Sequence, residues 1–393
     1  MTALPLTLTG LAALAALVWC SRHLMIWRER RTGLMLTDHS AGPPEKTPKI
    51  SVLVAAKDEA GCIETCVRTM LDQDYPNFEM VVCNDRSTDA TAEIVRRIAE
   101  DDPRLSLVNI TGLPAGWCGK NNAMQTGIAT TAGEWICMID ADCRQLSRRT
   151  LSVAMQYASD SGADLLSVLP RLEMKTWWEN VVQPVCSGVM MIWFRPDKVN
   201  DAKAPNAYAN GAFILIRRSV YEAIGTHEAV KDRLNEDMHM ARLVKSAGLR
   251  LRVIRGDDLY LVRMYTSFRQ IIRGWSRIFY GTFGTLRRLV ISLLVVTVMG
   301  LLPYLCACLG LAGWAAGAGP AWAWRALAVA GLAAVAMQLS VIYRFYKLIS
   351  ARPGLFWTYP LGCAVTIWAL VLSLTKLGGA KVVWKSTGYN QAR

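Results

Sequence analysis

Two carboxylates stand one residue apart in Asp140-Ala-Asp142, directly after the apolar run of residues 134–139. A short apolar run of this kind predicts a buried strand, and open α/β sheets bind ligands at the carboxyl ends of their strands. Two aspartates at such a point can hold one divalent ion and leave positions for the oxygens of a diphosphate. The pattern alone fits a metal and diphosphate site or an acidic surface turn, and the motifs that follow favour the site.

Two earlier strands end in the same way. Residues 50–56 lead into Asp58 and Glu59, and residues 78–83 lead into Asp85. A helical pattern follows each strand, and this alternation predicts right-handed β-α-β units and a mostly parallel sheet. The acidic strand ends are then expected to line one edge of the sheet, together with the aspartate pair.

Two further sites lie where a loop enters a predicted helix. Lys120 precedes the helix of residues 121–130, whose positive end could direct it toward a phosphate; a solvated loop lysine is the alternative. Glu236-Asp237 precedes the helix of residues 238–246. A carboxylate there is either a charge favoured by the helix dipole or a general base.

Five motifs in one order resemble those of the family-2 glycosyltransferases, and the resemblance covers roughly residues 46–280. In chain order, the motifs are Val54-Ala-Ala-Lys-Asp-Glu59, Asn84-Asp-Arg-Ser-Thr-Asp89, Asp140-Ala-Asp142, Glu236-Asp237 and Gln270-Ile-Ile-Arg273-Gly-Trp275. The last carries one extra glycine, which displaces the tryptophan by about 100° around a helix. The resemblance implies a GT-A fold, which is Rossmann-like with a mostly parallel sheet.

On the donor side, the resemblance implies a UDP-sugar. Asp58 or Glu59, together with Asp85, would contact uracil and ribose. Asp142 would hold Mg²⁺ or Mn²⁺ with support from Asp140, since oxygen-rich ligands suit either ion.

On the acceptor side, the resemblance gives the role of base to Asp237, in a direct displacement that inverts the sugar carbon. Arg273 would stabilise the leaving diphosphate, with Arg269 or Arg277 as alternatives, and Trp275 would close over the acceptor. The candidate catalytic residues are Asp237, Glu236, Arg273, Gln270 and Trp275.

Within the family, the chain is most similar to membrane-bound lipid glycosyltransferases, such as the ceramide glucosyltransferases and the hopanoid- and carotenoid-associated enzymes. Residues 208–218 and Arg263-Met-Tyr265 carry this similarity. It implies transfer from a UDP-sugar to a membrane lipid. A processive polysaccharide synthase shares the motifs, but few membrane segments and the altered last motif disfavour it. A catalytically inactive membrane scaffold is the alternative from another class.

Four segments without charged residues predict membrane helices: residues 3–20, 289–324, 326–343 and 355–375. A crossing needs about 20 residues, and the second segment is longer. The first segment resembles a retained anchor more than a signal peptide, because arginines follow it and no basic residue precedes it.

The net charge is +13, and the basic residues cluster at the predicted membrane edges. This distribution favours anionic lipid headgroups and a diphosphate, rather than nucleic acid, as binding partners. The positive-inside rule places the catalytic domain in the cytoplasm, and we expect an integral protein of the bacterial cytoplasmic membrane. The basic tail conflicts with a single last crossing. A re-entrant stretch near Pro360, an extra crossing in the second segment, or an exception to the rule would each resolve the conflict.

The predicted division is an anchor (1–21), a basic linker (22–45), a catalytic domain (46–280), about three membrane helices (288–376) and a basic tail (377–393). The catalytic domain has a nucleotide half (46–143) and an acceptor half (144–280). Trp177, Trp178 and Trp193 predict an interfacial helix near residues 176–195 that receives the acceptor, with ordinary domain core as the alternative. Eleven cysteines without C-x-x-C spacing predict neither a disulfide framework nor a zinc site.

Overall fold

The computed structural model describes residues 2–377, 382–384 and 387–389. Its strands, in chain order, are β1 (Ile50–Ala56), β2 (Phe78–Asp85), β3 (Leu105–Ile110), β4 (Trp135–Asp140), β5 (Cys143–Gln145), β6 (Leu165–Leu169), β7 (Arg171–Leu172), β8 (Phe213–Arg217), β9 (Leu251–Arg255), β10 (Tyr260–Val262), β11 (Val382–Trp384) and β12 (Thr387–Tyr389). The main sheet has the order β3-β2-β1-β4-β8-β6-β9. Four of its six neighbouring pairs are parallel, which confirms the predicted mostly parallel sheet.

The α-helices, in chain order, are α1 (Ala3–Thr32), α2 (Ile63–Leu71), α3 (Thr91–Asp101), α4 (Gly119–Ile128), α5 (Thr150–Ser161), α6 (Trp177–Trp193), α7 (Pro196–Val199), α8 (Arg218–Ala223), α9 (Glu236–Ser246), α10 (Phe268–Phe283), α11 (Leu286–Val295), α12 (Leu302–Ala315), α13 (Ala321–Leu348) and α14 (Tyr359–Lys376). Two of them begin about two residues earlier than predicted. As a result, Lys120 lies in the first turn of α4, and Glu236 and Asp237 lie in the first turn of α9.

The described residues form two compact units. The sheet unit contains residues 34–173 and 192–264, and the membrane unit contains residues 2–33, 174–191 and 265–377. This division differs from the sequence boundaries, because most of α6 and all of α10 group with the membrane helices rather than with the catalytic domain. The predicted tail lies largely outside the described residues.

The sheet unit has a continuous apolar core. Strands β1, β2 and β4 are almost entirely buried, as expected for parallel strands covered on both faces. Helix α2 turns Ile63, Val67 and Met70 toward this core, at the spacing of one helical face. The burial fixes the register of the strands, and the register fixes where their acidic ends stand.

The membrane unit contains four helical segments long and apolar enough to cross a bilayer: Ala3–Arg31, Leu286–Ala315, Ala321–Leu348 and Pro353–Lys376. The predicted membrane helices are therefore confirmed. In the long second segment, the helical stretch Leu286–Ala315 ends before the chain turns at Gly317 and Gly319, both with positive φ, and α13 begins at Ala321. Pro360 lies in the first turn of α14, where a helix tolerates proline without a break. The orientation of the helices stays a prediction.

Helix α6 packs against α14 within the membrane unit. A Cβ at Gly362 would collide with the carbonyl oxygen of Val181, so the glycine permits the close approach of the two helices. Cys186 and Thr366 share a hydrogen bond of 3.4 Å across the same contact. The helix predicted near residues 176–195 is therefore a packed element with one exposed side, and does not lie alone on a surface.

Candidate functional site

The loops that follow β1 and β2 are tied to each other at the carboxyl edge of the sheet. Thr88 donates its backbone N–H to the Asp58 carboxylate at 2.8 Å, and Asp58 donates its own N–H to Ser87 Oγ at 3.0 Å. The Glu59 N–H donates to Thr91 Oγ1 at 2.8 Å. Asp58, which has a φ of 52°, thus uses its carboxylate to hold the two loops together.

Asp85 is buried at the end of β2, with an exposed fraction of 2%. The Arg86 guanidinium donates to both of its carboxylate oxygens, at 2.8 and 3.1 Å. Gly119, the first residue of α4, lies so close that a Cβ there would collide with the Asp85 carboxylate. The structure therefore brings Asp85 and the positive end of α4 together.

Lys120 joins two motifs that lie far apart in the sequence. Its ammonium lies 2.6 Å from Asp140 Oδ1 and 2.7 Å from Glu236 Oε1. Burial alone would lower the pKa of Lys120, but the two carboxylates raise it well above its usual value. In this structure the lysine is a charged bridge between the end of β4 and the start of α9.

Asp142 lies beside this bridge. Burial, then the negative charges of Asp140 and Glu59, raise its pKa to about 7, and Lys120 opposes the shift. A divalent ion would offset this repulsion, so the pair of aspartates fits a metal. Among the described residues, no three His, Cys, Asp or Glu side chains are grouped to hold a metal. Further ligands would come from water and from a bound diphosphate.

Asp237 is held in place by backbone donors. Its Oδ2 accepts the Gly211 N–H at 2.9 Å, and its Oδ1 accepts the Met238 N–H at 2.7 Å. Burial and the neighbouring Glu236 raise the pKa of Asp237 to about 7, against the effect of Lys120. A carboxylate with a pKa near neutrality and a fixed orientation has the properties of a general base.

Asn121 was not singled out by the sequence, yet it holds the loop that leads into α9. Its buried side-chain amide donates to the carbonyl oxygens of Val230 at 2.7 Å, Arg233 at 2.9 Å and Lys231 at 3.2 Å. These carbonyls belong to the loop that leads into α9. The only signal in the sequence is an amide residue directly after Lys120, because its partners come from a distant loop.

Gln270, Arg273 and Trp275 lie on α10 in the membrane unit, whereas the carboxylates lie in the sheet unit. Gln270 Oε1 accepts the N–H and the hydroxyl of Thr266 at 2.9 and 3.0 Å. The Gln270 N–H donates to the hydroxyl of Ser267, which caps the helix. Arg273 is exposed, and Trp275 is buried against Phe279.

The glycine inserted in the last motif has a steric explanation. A Cβ at Gly274 would collide with the ring of Tyr265, the aromatic residue of Arg263-Met-Tyr265. The departure from the usual motif and the Tyr265 motif therefore belong to one packing arrangement.

The three tryptophans predicted to meet the acceptor separate into two groups. Trp177 and Trp178 stack edge to face at 4.7 Å, and the ring of Trp178 lies 4.4 Å from Phe268, which lies 6.2 Å from Trp368. We call these four rings the aromatic cluster of the membrane unit. Trp193, at the opposite end of α6, falls in the sheet unit, where its carbonyl accepts from Asn206.

Comparisons with known proteins identify similar sequences and folds. Residues 51–225 match the model of the glycosyl transferase family 2. The 4,4'-diaponeurosporenoate glycosyltransferases of Staphylococcus aureus strains N315 and Mu50 are 23% identical over 287 residues, which is 72% of this chain and 71% of each relative.

Among solved structures, the fold is similar to the mannosyltransferase PcManGT from Pyrobaculum calidifontis, solved with GDP-Man and Mn²⁺. The TM-score is 0.56 at 21% identity, covering 94% of this chain and 99% of that one. The predicted fold class, a GT-A domain with membrane helices, is therefore confirmed.

Proposed function

Since this protein is a glycosyltransferase with a family-2 domain over residues 51–225, we propose that it transfers a sugar from a UDP-sugar to a membrane lipid with inversion of configuration. The observation that carries the proposal is the bridge by Lys120 between Asp140 on the donor side and Glu236 beside the base Asp237. The four membrane-length helices support a lipid as acceptor.

On the donor side, Asp85 and the loop of Asp58 and Glu59 would contact the nucleoside. Asp140 and Asp142 would hold Mg²⁺ or Mn²⁺. When bound, the ion would neutralise charge on the diphosphate as it leaves. The first turn of α4 directs backbone N–H groups and Lys120 into the same region, which also favours an anionic ligand.

On the acceptor side, the hydroxyl oxygen of the lipid would attack the anomeric carbon from the face opposite the diphosphate. As the new C–O bond forms, the C–O bond to the diphosphate breaks and the hydroxyl proton passes to Asp237. The N–H groups of Gly211 and Met238 orient the carboxylate for this transfer. Arg273 would stabilise the departing diphosphate, with Arg269 or Arg277 as alternatives.

The raised pKa of Asp237 leads to a pH prediction. The base must be ionised, so kcat/KM should rise with pH through about 7 and fall in acid. Glu236→Gln removes a negative charge that disfavours ionisation of Asp237, so the acid limb should move to lower pH. The measurement is the pH profile of kcat/KM at saturating Mn²⁺ for the parent and the variant.

The test depends on the pH at which kcat/KM falls in acid, and not on the maximal activity of the variant. Asp142 also has a raised pKa, but its causes are burial, Asp140 and Glu59. An acid limb that stays in place in Glu236→Gln would show that a group other than Asp237 controls the profile.

For the acceptor, the names of the curated relatives support a lipid-like molecule. The aromatic cluster is a suitable contact for such a lipid. Trp177 and Trp368 are 41% and 49% exposed, and a half-exposed aromatic group beside membrane helices is typical of a membrane interface. We therefore propose that Trp177, Trp178, Phe268 and Trp368 contact the lipid, while Trp193 contributes less than the sequence suggested.

Replacing Trp178 and Trp368 together with alanine should raise the KM for the lipid acceptor by about tenfold, because two large apolar contacts are lost. UDP-sugar affinity should change by less than about twofold, since the donor residues lie in the sheet unit. Kinetics at varied acceptor and equilibrium binding of UDP measure the two effects.

Trp322→Ala is the matched control, because Trp322 is 59% exposed in the membrane unit but lies outside the aromatic cluster. An equal loss of acceptor affinity in this control, or an equal loss of nucleotide binding in the double variant, would contradict an acceptor role for the cluster.

One experiment separates the proposed function from its alternatives. Membranes from expressing cells are incubated with labelled UDP- and GDP-sugars, and the products are identified by mass spectrometry. A single glycolipid supports the proposal, whereas a ladder of products indicates a processive synthase. Absence of transfer and of donor hydrolysis under every condition indicates an inactive scaffold.

A further inference from the structure

Lys120 already has two carboxylate partners before any ligand is considered. Its ammonium lies 2.6 Å from Asp140 and 2.7 Å from Glu236, and its side chain is 18% exposed. Both distances are those of charge-assisted hydrogen bonds. A lysine that served only as a phosphate contact would not need both carboxylate partners, so the pairing indicates a further role for Lys120.

Asp140 is one partner of Lys120 and is also assigned to the metal. A divalent cation at the aspartate pair would lie within a few ångström of the Lys120 ammonium, and like charges at such distances repel strongly in a partly buried site. The ammonium and the metal therefore compete for Asp140. Glu236 is not assigned to the metal, so the lysine can keep that partner when it loses Asp140.

Gly211 packs closely against the Lys120 ammonium and the two carboxylates of α9. A Cβ at Gly211 would lie 3.1 Å from Lys120 Nζ, 3.4 Å from Asp237 Oδ2 and 3.6 Å from Glu236 Oε1. Glycine thus keeps open the space between the lysine and the two acidic residues of α9. The four-carbon stem of lysine allows its ammonium to shift while the backbone of α4 stays in place.

We propose that Lys120 is an exchangeable counter-ion, paired with Asp140 in the donor-free protein, which gives up that partner to the divalent ion and then faces the donor diphosphate while keeping Glu236. This inference rests on the proposed function for its metal and donor. It assigns Lys120 as a positioning residue that links the donor-side aspartates to the acceptor-side pair Glu236-Asp237.

The test measures binding rather than turnover. The full-length protein in detergent is titrated with Mn²⁺ in the absence of nucleotide, and free Mn²⁺ is followed by electron paramagnetic resonance. Lys120→Met should bind Mn²⁺ about tenfold more tightly than the parent, because Asp140 loses its competing cation. The same variant should bind UDP in the presence of Mn²⁺ about tenfold less tightly, because the diphosphate loses the ammonium.

The matched control is Lys49→Met. Lys49 forms an equally short ion pair, 2.6 Å from Glu79, at the opposite end of β1, and its loss should leave both affinities unchanged. In an Asp140→Asn background, the gain in Mn²⁺ affinity from Lys120→Met should vanish, which locates the competition at Asp140.

Unchanged or weaker Mn²⁺ binding in Lys120→Met would overturn the inference and leave the proposed function standing. Failure of the parent and of every variant to bind Mn²⁺ would instead overturn both the inference and the metal in the proposed function. If Lys120→Met does not fold, Glu236→Gln provides the opposite test. The lysine then pairs with Asp140 alone, so Mn²⁺ should bind at least threefold more weakly, and unchanged binding would overturn the inference.

Discussion

Asp237→Asn is expected to lower turnover by about 10² to 10⁴, the usual contribution of a general base. The asparagine keeps the shape of the side chain, and its one carboxamide oxygen can accept the N–H of either Gly211 or Met238. It cannot take the proton of the acceptor. UDP affinity should change by less than about threefold, because Asp237 is assigned to the acceptor side. Single-turnover transfer and equilibrium UDP binding on the same preparations measure the two effects.

Asp232→Asn is the matched control for this prediction, since Asp232 lies in the loop before α9 and ion-pairs with Arg233 at its surface. Its turnover should stay near that of the parent. Asp237→Glu should recover only part of the lost rate, because the longer side chain moves the carboxylate. Near-normal turnover in Asp237→Asn would transfer the role of base to another group, with Glu236 the first candidate.

Asp142→Asn is expected to reduce transfer by at least about 10³, because the divalent ion that stabilises the leaving diphosphate would lose a charged ligand. Donor affinity should fall mainly when metal is present and change little when it is absent. Binding of UDP with and without Mn²⁺, together with transfer rates, measures both effects.

Asp160→Asn provides the control, because Asp160 lies on the exposed side of α5 and accepts a hydrogen bond from Gln156. The parent enzyme should also lose activity in a chelator and regain it with Mg²⁺ or Mn²⁺. Transfer undiminished by the chelator would remove the metal from the mechanism.

The sheet and the positions of its acidic ends could be predicted because they depend on local patterns. Apolar runs such as that of β4 predict strands, and the carboxyl ends of parallel strands meet at one edge. The same reasoning predicted that Asp85 and Asp140 lie at one edge of the sheet. The predicted starts of α4 and α9 were about two residues too late, since helix propensity does not define the first turn of a helix.

The partners of these residues could not be predicted, because they come from distant segments. For Lys120 the sequence left two interpretations, a phosphate contact and a solvated lysine. Its pairing with Glu236 depends on the tertiary contact between the starts of α4 and α9. Asn121 holds three carbonyls of one loop, and no spacing in the sequence indicates such a contact. Tertiary packing determines the hydrogen-bond partners of buried polar side chains, and the periodicity of apolar residues in the sequence does not encode it.

The assignment of α6 was the other difference between the sequence prediction and the structure. The sequence of α6 predicts a solvent-exposed polar face, because it contains Glu179, Asn180 and Gln183. All three side chains are buried in the structure. The Asn180 amide donates to the nearby carbonyls of Met174 and Thr176, and its oxygen accepts the N–H of Arg352 from a distant segment. Hydropathy alone therefore underestimated how much of α6 belongs to the membrane unit.

The most direct test of lipid glycosylation is transfer by the purified protein. The full chain is reconstituted in vesicles made from host lipid extract, given a labelled UDP-sugar and Mn²⁺, and the label that enters the organic phase is measured. The proposed function predicts one labelled lipid, formed by the parent protein, absent without Mn²⁺ and reduced at least about 100-fold in Asp237→Asn. Label that remains entirely in the aqueous phase for every UDP-sugar, or a lipid formed equally by Asp237→Asn, would contradict it.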